Sequence, residues 1–437
     1  MKQIETLVGS FVLIAYTIVF QFIYECFMSI KFIHTGDLHI GQRLKKNTRV
    51  HEHRNMLVWL HKQIEETQTE LLLISGDVFD TSSPAPESMR IFNSFLADLE
   101  SLSSLRTVII TAGNHDSARR LDSLKPVLKR LGIHIVGAFQ NDNPQWDDWL
   151  IPVHNSKGDV QAAVAAVPFV HEYRLGITRG TRATYAQEIK NGFKNLYARF
   201  AQMAQDKYPG VPHIAMGHLT AMNEAEVIGN APQNVHVAVE NGMDGDIFGS
   251  SYDYVALGHI HKNYRVRGMA NAYYCGSPLP CSIAEAEDSM SRGVWFLDLA
   301  QSKKPTLLEM PVQRQFLRWR GTIEEITQKV STYSWTEEQE PPFVWICVET
   351  ESPRYDLWEV CTDLVMSRNV GHRLILIDVD NVVEGLEPQK DYTVDVTTTP
   401  HEIFKELLAH KGIAITSQLR GLFDLVLSQV QEDKEEV

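Results

Sequence analysis

An α/β chain is what this sequence predicts: a large layered α/β/α sandwich, a smaller α/β unit after it, and a pair of helices at the end. Three observations carry the prediction. Aliphatic runs without alternation, such as Leu71-Leu72-Leu73-Ile74, read as strands buried on both faces of a parallel sheet. Between Phe32 and Val136 such runs alternate with amphipathic helices, the pattern of parallel strands joined by crossover helices. Five strand-like runs also end in glycine followed by a residue of metal-ligand type: Gly36-Asp37-Leu38-His39, Gly76-Asp77, Gly113-Asn114-His115, Gly217-His218 and Gly258-His259-Ile260-His261. Open α/β sheets place their ligands at the carboxyl ends of strands. Asp77 alone reads as a turn or N-cap residue; five repetitions do not.

Phe32 to Thr35 is the first core strand. The basic loop Arg43-Leu44-Lys45-Lys46-Asn47-Thr48-Arg49 follows, then a helix with Leu57, Leu60 and Ile64 on one face. Pro84 and Pro86 open a helix with Phe92, Phe95, Leu96 and Leu99 inward. The Val108–Thr111 strand precedes a helix carrying Leu124, Val127, Leu128 and Leu131, and His134-Ile135-Val136 is the next strand. Residues 141–158 read as a looser stretch. Ala162 to Val167 is a strand, and a helix with Phe193, Leu196, Phe200 and Met203 inward leads to the two histidine-ending strands. Ala272–Tyr274 and Gly293–Leu297 close a domain over 28–300. The smaller unit, 301–398, shows strands at Phe316–Gly321, Phe343–Val348 and Arg373–Val379 with two helices between. In the tail, 399–437, Thr399-Pro400-His401-Glu402 is a capping box, and Leu419, Leu422, Phe423, Val426, Leu427 and Val430 form an apolar stripe. That stripe packs on its own chain or takes a partner helix.

Composition narrows the class. Hydrophobic content of 44% with 22% charged residues supports a sizeable core and excludes global disorder. The cysteines Cys26, Cys275, Cys281, Cys347 and Cys361 are scattered without a C-x-x-C pair, which argues against a disulfide framework or zinc ribbon and suits a reducing cytoplasm. A net charge of −14 repels nucleic acid, so any DNA binding rests on local basic patches or on a partner. Thr6 to Tyr24 carries no charge, is mostly apolar and is long enough to span a bilayer. A membrane anchor and a signal peptide are two readings of it. The third, preferred here, is that 1–27 precede the true start at Met28, giving a soluble cytoplasmic protein; N-terminal sequencing tests this.

A hard dication such as Mn²⁺ or Mg²⁺ takes carboxylate, amide oxygen and imidazole ligands. Two of them about 3.5–4 Å apart clamp a phosphate and activate water, and they need a bridging carboxylate. Asp77 is the natural bridge. Asp37, His39 and one late histidine complete the first ion, and Asn114, His218 and another late histidine the second. His34 and His134 read as core histidines, and His51, His53 and His61 as solvated helix residues. Asp116 reads equally as a cap or as a catalytic group, and His154 and His171 have no assigned partner.

In their order, the five glycine-led motifs resemble the calcineurin-like metallophosphoesterases. Val78-Phe79-Asp80-Thr81, Gly113-Asn114-His115-Asp116-Ser117, Gly217-His218-Leu219-Thr220, Tyr274-Cys275-Gly276-Ser277-Pro278 and Pro341-Pro342-Phe343-Val344-Trp345 are similar to one branch, the SbcD-type nuclease subunits. The resemblance covers 28–400 and does not include the first 27 residues. It implies the metallophosphoesterase sandwich, with 301–398 as its capping domain. It implies Asp37, His39, Asp77 and His261 on one Mn²⁺ or Mg²⁺, and Asp77, Asn114, His218 and His259 on the other. It makes His115 the catalytic histidine at the scissile phosphate, oriented by Asp80. It further implies ATP-dependent double-strand exonuclease and single-strand or hairpin endonuclease activity in DNA repair, recombination and replication. The partners it implies are DNA and an SbcC-like coiled-coil ATPase, with a homodimer inside a heterotetramer. Basic residues flank the motifs: Arg43, Lys45, Lys46, Arg49 and Arg54; Arg119 and Arg120; Lys262, Arg265 and Arg267. Together they are expected to form a phosphate-tracking rim on the DNA side. The competing readings are a phosphatase or cyclic-nucleotide phosphodiesterase on the same fold, and a scaffold that lost its metals.

Overall fold

The computed structural model describes residues 30–139, 146–175, 182–221, 245–288, 290–334, 340–367 and 374–383, with isolated positions in the tail. The apolar segment 6–24 and the start at Met28 lie outside these residues, as does most of the predicted tail helix pair. Among the described residues no helix is long and apolar enough to cross a membrane.

The strand β4 (Leu71–Ser75) explains its own uninterrupted sequence: all five residues are buried, because both of its faces are covered. It pairs in parallel with β1 (Lys31–Thr35) and β5 (Thr107–Thr111), and β5 in turn with β6 (Ile133–Val136). The antiparallel strands β13 (Gly293–Asp298) and β14 (Thr306–Glu309) extend the other edge, giving the order β14-β13-β1-β4-β5-β6. One face of this sheet, with Ile33, Leu72, Ile74 and Ile110, packs on α1 (Val50–Thr67) and α2 (Pro86–Asp98). The opposite face, with Phe32, Leu71, Leu73 and Ile109, packs on a second sheet.

That second sheet refines the expected layering, in which a single sheet lay between helices. It runs β11-β12-β10-β9-β8-β7 and comprises β7 (Leu150–His154), β8 (Val160–Ala166), β9 (His213–His218), β10 (Tyr254–Gly258), β11 (Tyr264–Arg265) and β12 (Ala272–Tyr274). The core is thus an α/β/β/α sandwich, with the long helix α5 (Arg182–Lys207) on the far side through Phe193, Leu196 and Phe200. The sheets meet through Phe32 and Tyr254, whose rings sit 5.0 Å apart, and through Ser75 Oγ donating to the Ala256 carbonyl at 3.2 Å. His34 is a core histidine as read, hydrogen-bonded to Tyr254 Oη at 3.0 Å, and burial pushes it down to about 3.

Three local expectations change. Residues 150–154 of the supposedly loose stretch form β7, an edge strand antiparallel to β8. The helix expected over Leu124–Leu131 is broken into α3 (Ala118–Asp122), α4 (Lys125–Leu128) and a 3₁₀ turn, and Val127 is left exposed. His53 is buried on α1 rather than solvated.

A third sheet, β15 (Arg314–Gly321), β16 (Glu340–Thr350) and β17 (Ile375–Val383), carries α7 (Ile323–Thr332) and α8 (Leu357–Ser367) over a core of its own. Its strands fall where the sequence expected them. It belongs to the same compact unit as the sandwich, which takes in the described residues of 30–349 and 354–381. Residues 350–353 and 382–437 form another unit, in which the rings of Phe404 and Phe423 stack at 4.0 Å.

Candidate metal centre

Five strand ends converge on one edge of the sandwich. Asp37 follows β1, Asp77 follows β4, Asn114 follows β5, His218 ends β9 and His259 follows β10. The turns that present these residues are backbone-strained. Asp37 (φ 47°), His39 (φ 42°), Asp77 (φ 47°) and His259 (φ 92°) all occupy positive φ, which non-glycine residues adopt at a cost of about 1–3 kcal/mol. Backbone bonds hold them there: Asp37 N–H to the Gly76 carbonyl and His39 N–H to the Asp77 carbonyl, each at 3.0 Å. Glycine before the ligand is a matter of space. A Cβ on Gly113 would lie 2.1 Å from Asp77 Oδ1, and one on Gly258 would lie 1.9 Å from the Ser75 carbonyl oxygen.

The side chains meet around Asp77. Its Oδ2 lies 3.7 Å from His39 Nε2 and 3.3 Å from His218 Nε2, and its Oδ1 accepts the His115 N–H at 2.9 Å. Asn114 Oδ1 sits 3.0 Å from both His218 Nε2 and His259 Nδ1. His39 Nε2 and His261 Nε2 face each other at 3.1 Å. Asp37, fully buried, accepts the His259 N–H on both carboxylate oxygens, at 2.9 and 3.0 Å. All seven predicted ligands therefore lie in one cluster.

The cluster fits cations. Carbonyl and carboxylate groups behind the rings fix which nitrogen points inward. His218 Nδ1 is hydrogen-bonded to the Ser75 carbonyl at 2.9 Å, and His261 Nδ1 to Glu285 Oε1 at 3.0 Å. His39 Nδ1 faces the Asp80 carboxylate at 3.4 Å. With His261 Nδ1 turned to Glu285 and His39 Nδ1 to Asp80, the two Nε2 atoms point at each other. Burial alone would lower His39 and His218, yet the Cys281 thiol with Asp80 and Asp77 raises His39, and Asp77 with Asp37 raises His218, each to about 9. Burial likewise pushes Asp77 up, but His218, His39 and His115 outweigh it and hold the carboxyl below its ordinary range. Oxygen and imidazole donors with a shared carboxylate suit a pair of hard dications.

His115 Nδ1 is 2.8 Å from the backbone carbonyl of Asp80, which keeps the proton on Nδ1 and leaves Nε2 as the basic nitrogen. The contact of Asp80 with His115 is thus through its main chain, while its carboxylate faces His39. Asp116 resolves to a clamp. Its carboxylate accepts the N–H groups of Val78 (3.1 Å), Phe79 (2.9 Å) and Gly113 (2.9 Å), pinning two of the ligand turns together.

Two participants were missed. Glu285 holds His261 and also accepts the Cys281 N–H at 3.0 Å. Ser282-Ile283-Ala284-Glu285 is a capping-box spelling at the start of α6 (Ile283–Glu287), which suggests a carboxylate folded back on Ser282. Here that carboxylate faces the metal centre. Cys281 places its sulfur near His39 and His261; nothing in its isolated spacing signals that.

The basic rim needs one correction. Arg49 is 2% exposed and cannot track phosphates: its Nε donates to Glu52 Oε1 at 2.9 Å, with Nη2 at 2.9 Å from the same oxygen in an ion pair, and Glu52 Oε2 accepts from Arg314 Nε at 2.9 Å. Arg54 pairs with Glu87 between α1 and α2. Arg43, Lys45, Lys46, Arg119, Arg120, Arg265 and Arg267 are exposed, Lys45 beside Asp378 at 2.7 Å. Lys262 is half-buried beside Asp288 at 2.8 Å.

The calcineurin-like phosphoesterase family matches residues 30–263. The SbcD component of the SbcCD nuclease from Rhodobacter capsulatus is 31% identical, over 86% of this chain and 93% of that protein. The Escherichia coli K12 protein of the same name is 27% identical over 93% of this chain and its own full length. A DNA double-strand break repair protein Mre11 of Methanopyrus kandleri is 24% identical over 70% of this chain and 60% of that protein.

Proposed function

Since the chain belongs to the calcineurin-like phosphoesterases, in the branch of the SbcD nucleases, we propose that it hydrolyses DNA phosphodiesters at the Asp77 cluster as the nuclease partner of a coiled-coil ATPase. The observation that carries the reading is the convergence of seven oxygen and nitrogen donors from five strand ends around a single carboxylate. We assign Asp37, His39, Asp77 and His261 to one dication and Asp77, Asn114, His218 and His259 to the other, with Mn²⁺ preferred over Mg²⁺. Such a pair, when bound, neutralises phosphate charge and lowers the pKa of water. Asp77 joins the two positions, since Oδ2 lies between His39 and His218 and Oδ1 is anchored by the His115 N–H. His115, held at Nδ1 by the Asp80 carbonyl, presents Nε2 to carry a proton to the leaving oxygen. Asn114 contributes a neutral oxygen, so the approach of a polyanion meets one carboxylate fewer.

Arg43, Lys45, Lys46, Arg119, Arg120 and Lys262 are the proposed DNA contacts, and the 301–398 unit the cap. A homodimer inside a heterotetramer with the ATPase is proposed on the resemblance to the SbcD nucleases. The test is cleavage of an end-labelled DNA hairpin and duplex with Mn²⁺, with and without the ATPase and ATP, beside phosphomonoesters and cyclic nucleotides. Cleavage of DNA in preference to the small esters is expected. Turnover confined to the small esters would overturn the assignment.

A further inference from the structure

Sulfur stands among the ligands of the first cation position. The thiol of Cys281, the His39 ring and the His261 ring bring one donor atom each to within 4.8 Å of one another. The thiol is not a mobile surface group: the Cys281 N–H is fixed to Glu285 Oε2 at 3.0 Å, and Sγ lies 3.5 Å from Ser277 Oγ and 3.8 Å from the Leu279 carbonyl. The same glutamate holds His261 through its other oxygen, so sulfur and imidazole are presented as a unit. Ser277 in turn donates to the Asp37 carbonyl at 2.7 Å, tying this loop to the turn that carries Asp37 and His39.

On the reading of a two-cation centre, we propose that Cys281 is a sulfur donor to the His39/His261 position, which makes that position take a thiophilic dication such as Zn²⁺ or Cd²⁺ in an N₂S arrangement. Thiolate and imidazole together are the donor set of zinc sites, with sulfur about 2.3 Å from the ion and nitrogen about 2.0–2.1 Å. Mn²⁺ and Mg²⁺ gain little from sulfur. The hard-metal centre therefore has a soft corner, at which zinc competes with manganese. Binding transfers the thiol proton to solvent and forms the sulfur–metal bond; no oxidant or reductant takes part.

The experiment uses the full chain freed of metal by chelation. Cd²⁺ is titrated while the ultraviolet sulfur-to-cadmium charge-transfer band is recorded, and Mn²⁺ binding is followed in parallel by paramagnetic resonance. The wild type is expected to develop the band. Cys281→Ser and Cys281→Ala are expected to lose it and to bind Cd²⁺ at least about tenfold more weakly, the lower end of what a disturbed ligand sphere costs, with a much smaller change for Mn²⁺. Cys275→Ser is the control, since Cys275 Sγ lies 3.9 Å from Asp37 Oδ2, and it is expected to keep the band. A wild type that binds Mn²⁺ without developing the band overturns the sulfur ligand and leaves the two-cation centre standing. So does a band that survives in both Cys281 variants. A protein that binds neither metal overturns the centre and the proposal with it.

Discussion

Glu285 offers the most direct test of how the metal centre is held. Its Oε1 is 3.0 Å from His261 Nδ1, its Oε2 takes the Cys281 N–H at 3.0 Å, and Arg292 Nη1 approaches the same oxygen at 3.6 Å. The carboxylate is fixed before any metal arrives, and it sets both the tautomer and the direction of His261. Partners of this kind are worth about 10–100-fold in metal affinity, or about 1.4–2.7 kcal/mol. Glu285→Ala is expected to lose that amount at the His39/His261 position and to leave the Asn114/His218 position nearly unchanged, because its hydrogen bonds run to His261 and Cys281. Glu285→Gln keeps an oxygen for the His261 Nδ1 proton and should recover most of the loss. Calorimetric Mn²⁺ titration resolves the two positions, and thermal melting checks the fold. If alanine leaves both affinities unchanged, or lowers both equally, then Glu285 does not orient His261 and the argument fails.

Asp77→Asn should leave the fold intact and abolish paired metal occupancy and cleavage, since an amide bridges two dications poorly; near wild-type activity with two bound Mn²⁺ would refute the bridging role. His115→Ala should retain both metals and lose about 10²–10⁴-fold in turnover, and elemental analysis showing metal lost with activity would make His115 a ligand instead. Glu52→Ala strands the buried guanidiniums of Arg49 and Arg314, 2% and 7% exposed, and should cost about 3–5 kcal/mol in urea unfolding; a loss under about 1 kcal/mol would mean that solvent reaches the pair. Deleting 399–437 should spare Mn²⁺-dependent cleavage and abolish co-purification with the ATPase, and unchanged ATPase affinity of the truncated protein would refute the tail's role.

The parts legible in the sequence are those with a local physical cause. A strand covered on both faces must be apolar at every position, so β4 and β5 announce themselves, and ligand turns where an added Cβ would fall about 2 Å from a neighbouring atom must begin with glycine, as at Gly113 and Gly258. What was illegible arises from distant chain segments. Whether apolar strands stack as one sheet or two depends on contacts such as Phe32 with Tyr254. Arg49 has the spelling of a solvated loop base, and it is buried because Glu52 also receives Arg314, 262 residues further on. Glu285 has the spelling of a capping box, and its carboxylate is drawn to His261 by proximity that no spacing encodes.

The same distant contacts bear on how the third sheet relates to the chemistry. A boundary near residue 300 follows the change of sheet, yet packing crosses it at two loops that matter to the centre. Leu44, from the loop after His39, and Ile283, from the segment between Cys281 and Glu285, are both buried against Phe343 and Ile377 of that sheet. Arg314 at the start of β15 closes the ion network on Glu52, and its guanidinium lies 4.2 Å from the centre of the Phe343 ring. Arg49, in the same network, donates to the Pro280 carbonyl at 2.6 Å, beside the loop that presents Cys281. The sheet therefore backs the two loops whose side chains reach the first cation position, whereas Asn114, in the turn after β5, and His218, at the end of β9, are carried by the sandwich itself. A load applied to the small unit would reach the His39/His261 position first, so mutations that loosen the Arg49–Glu52–Arg314 network are expected to weaken metal binding there before they disturb the Asn114/His218 position.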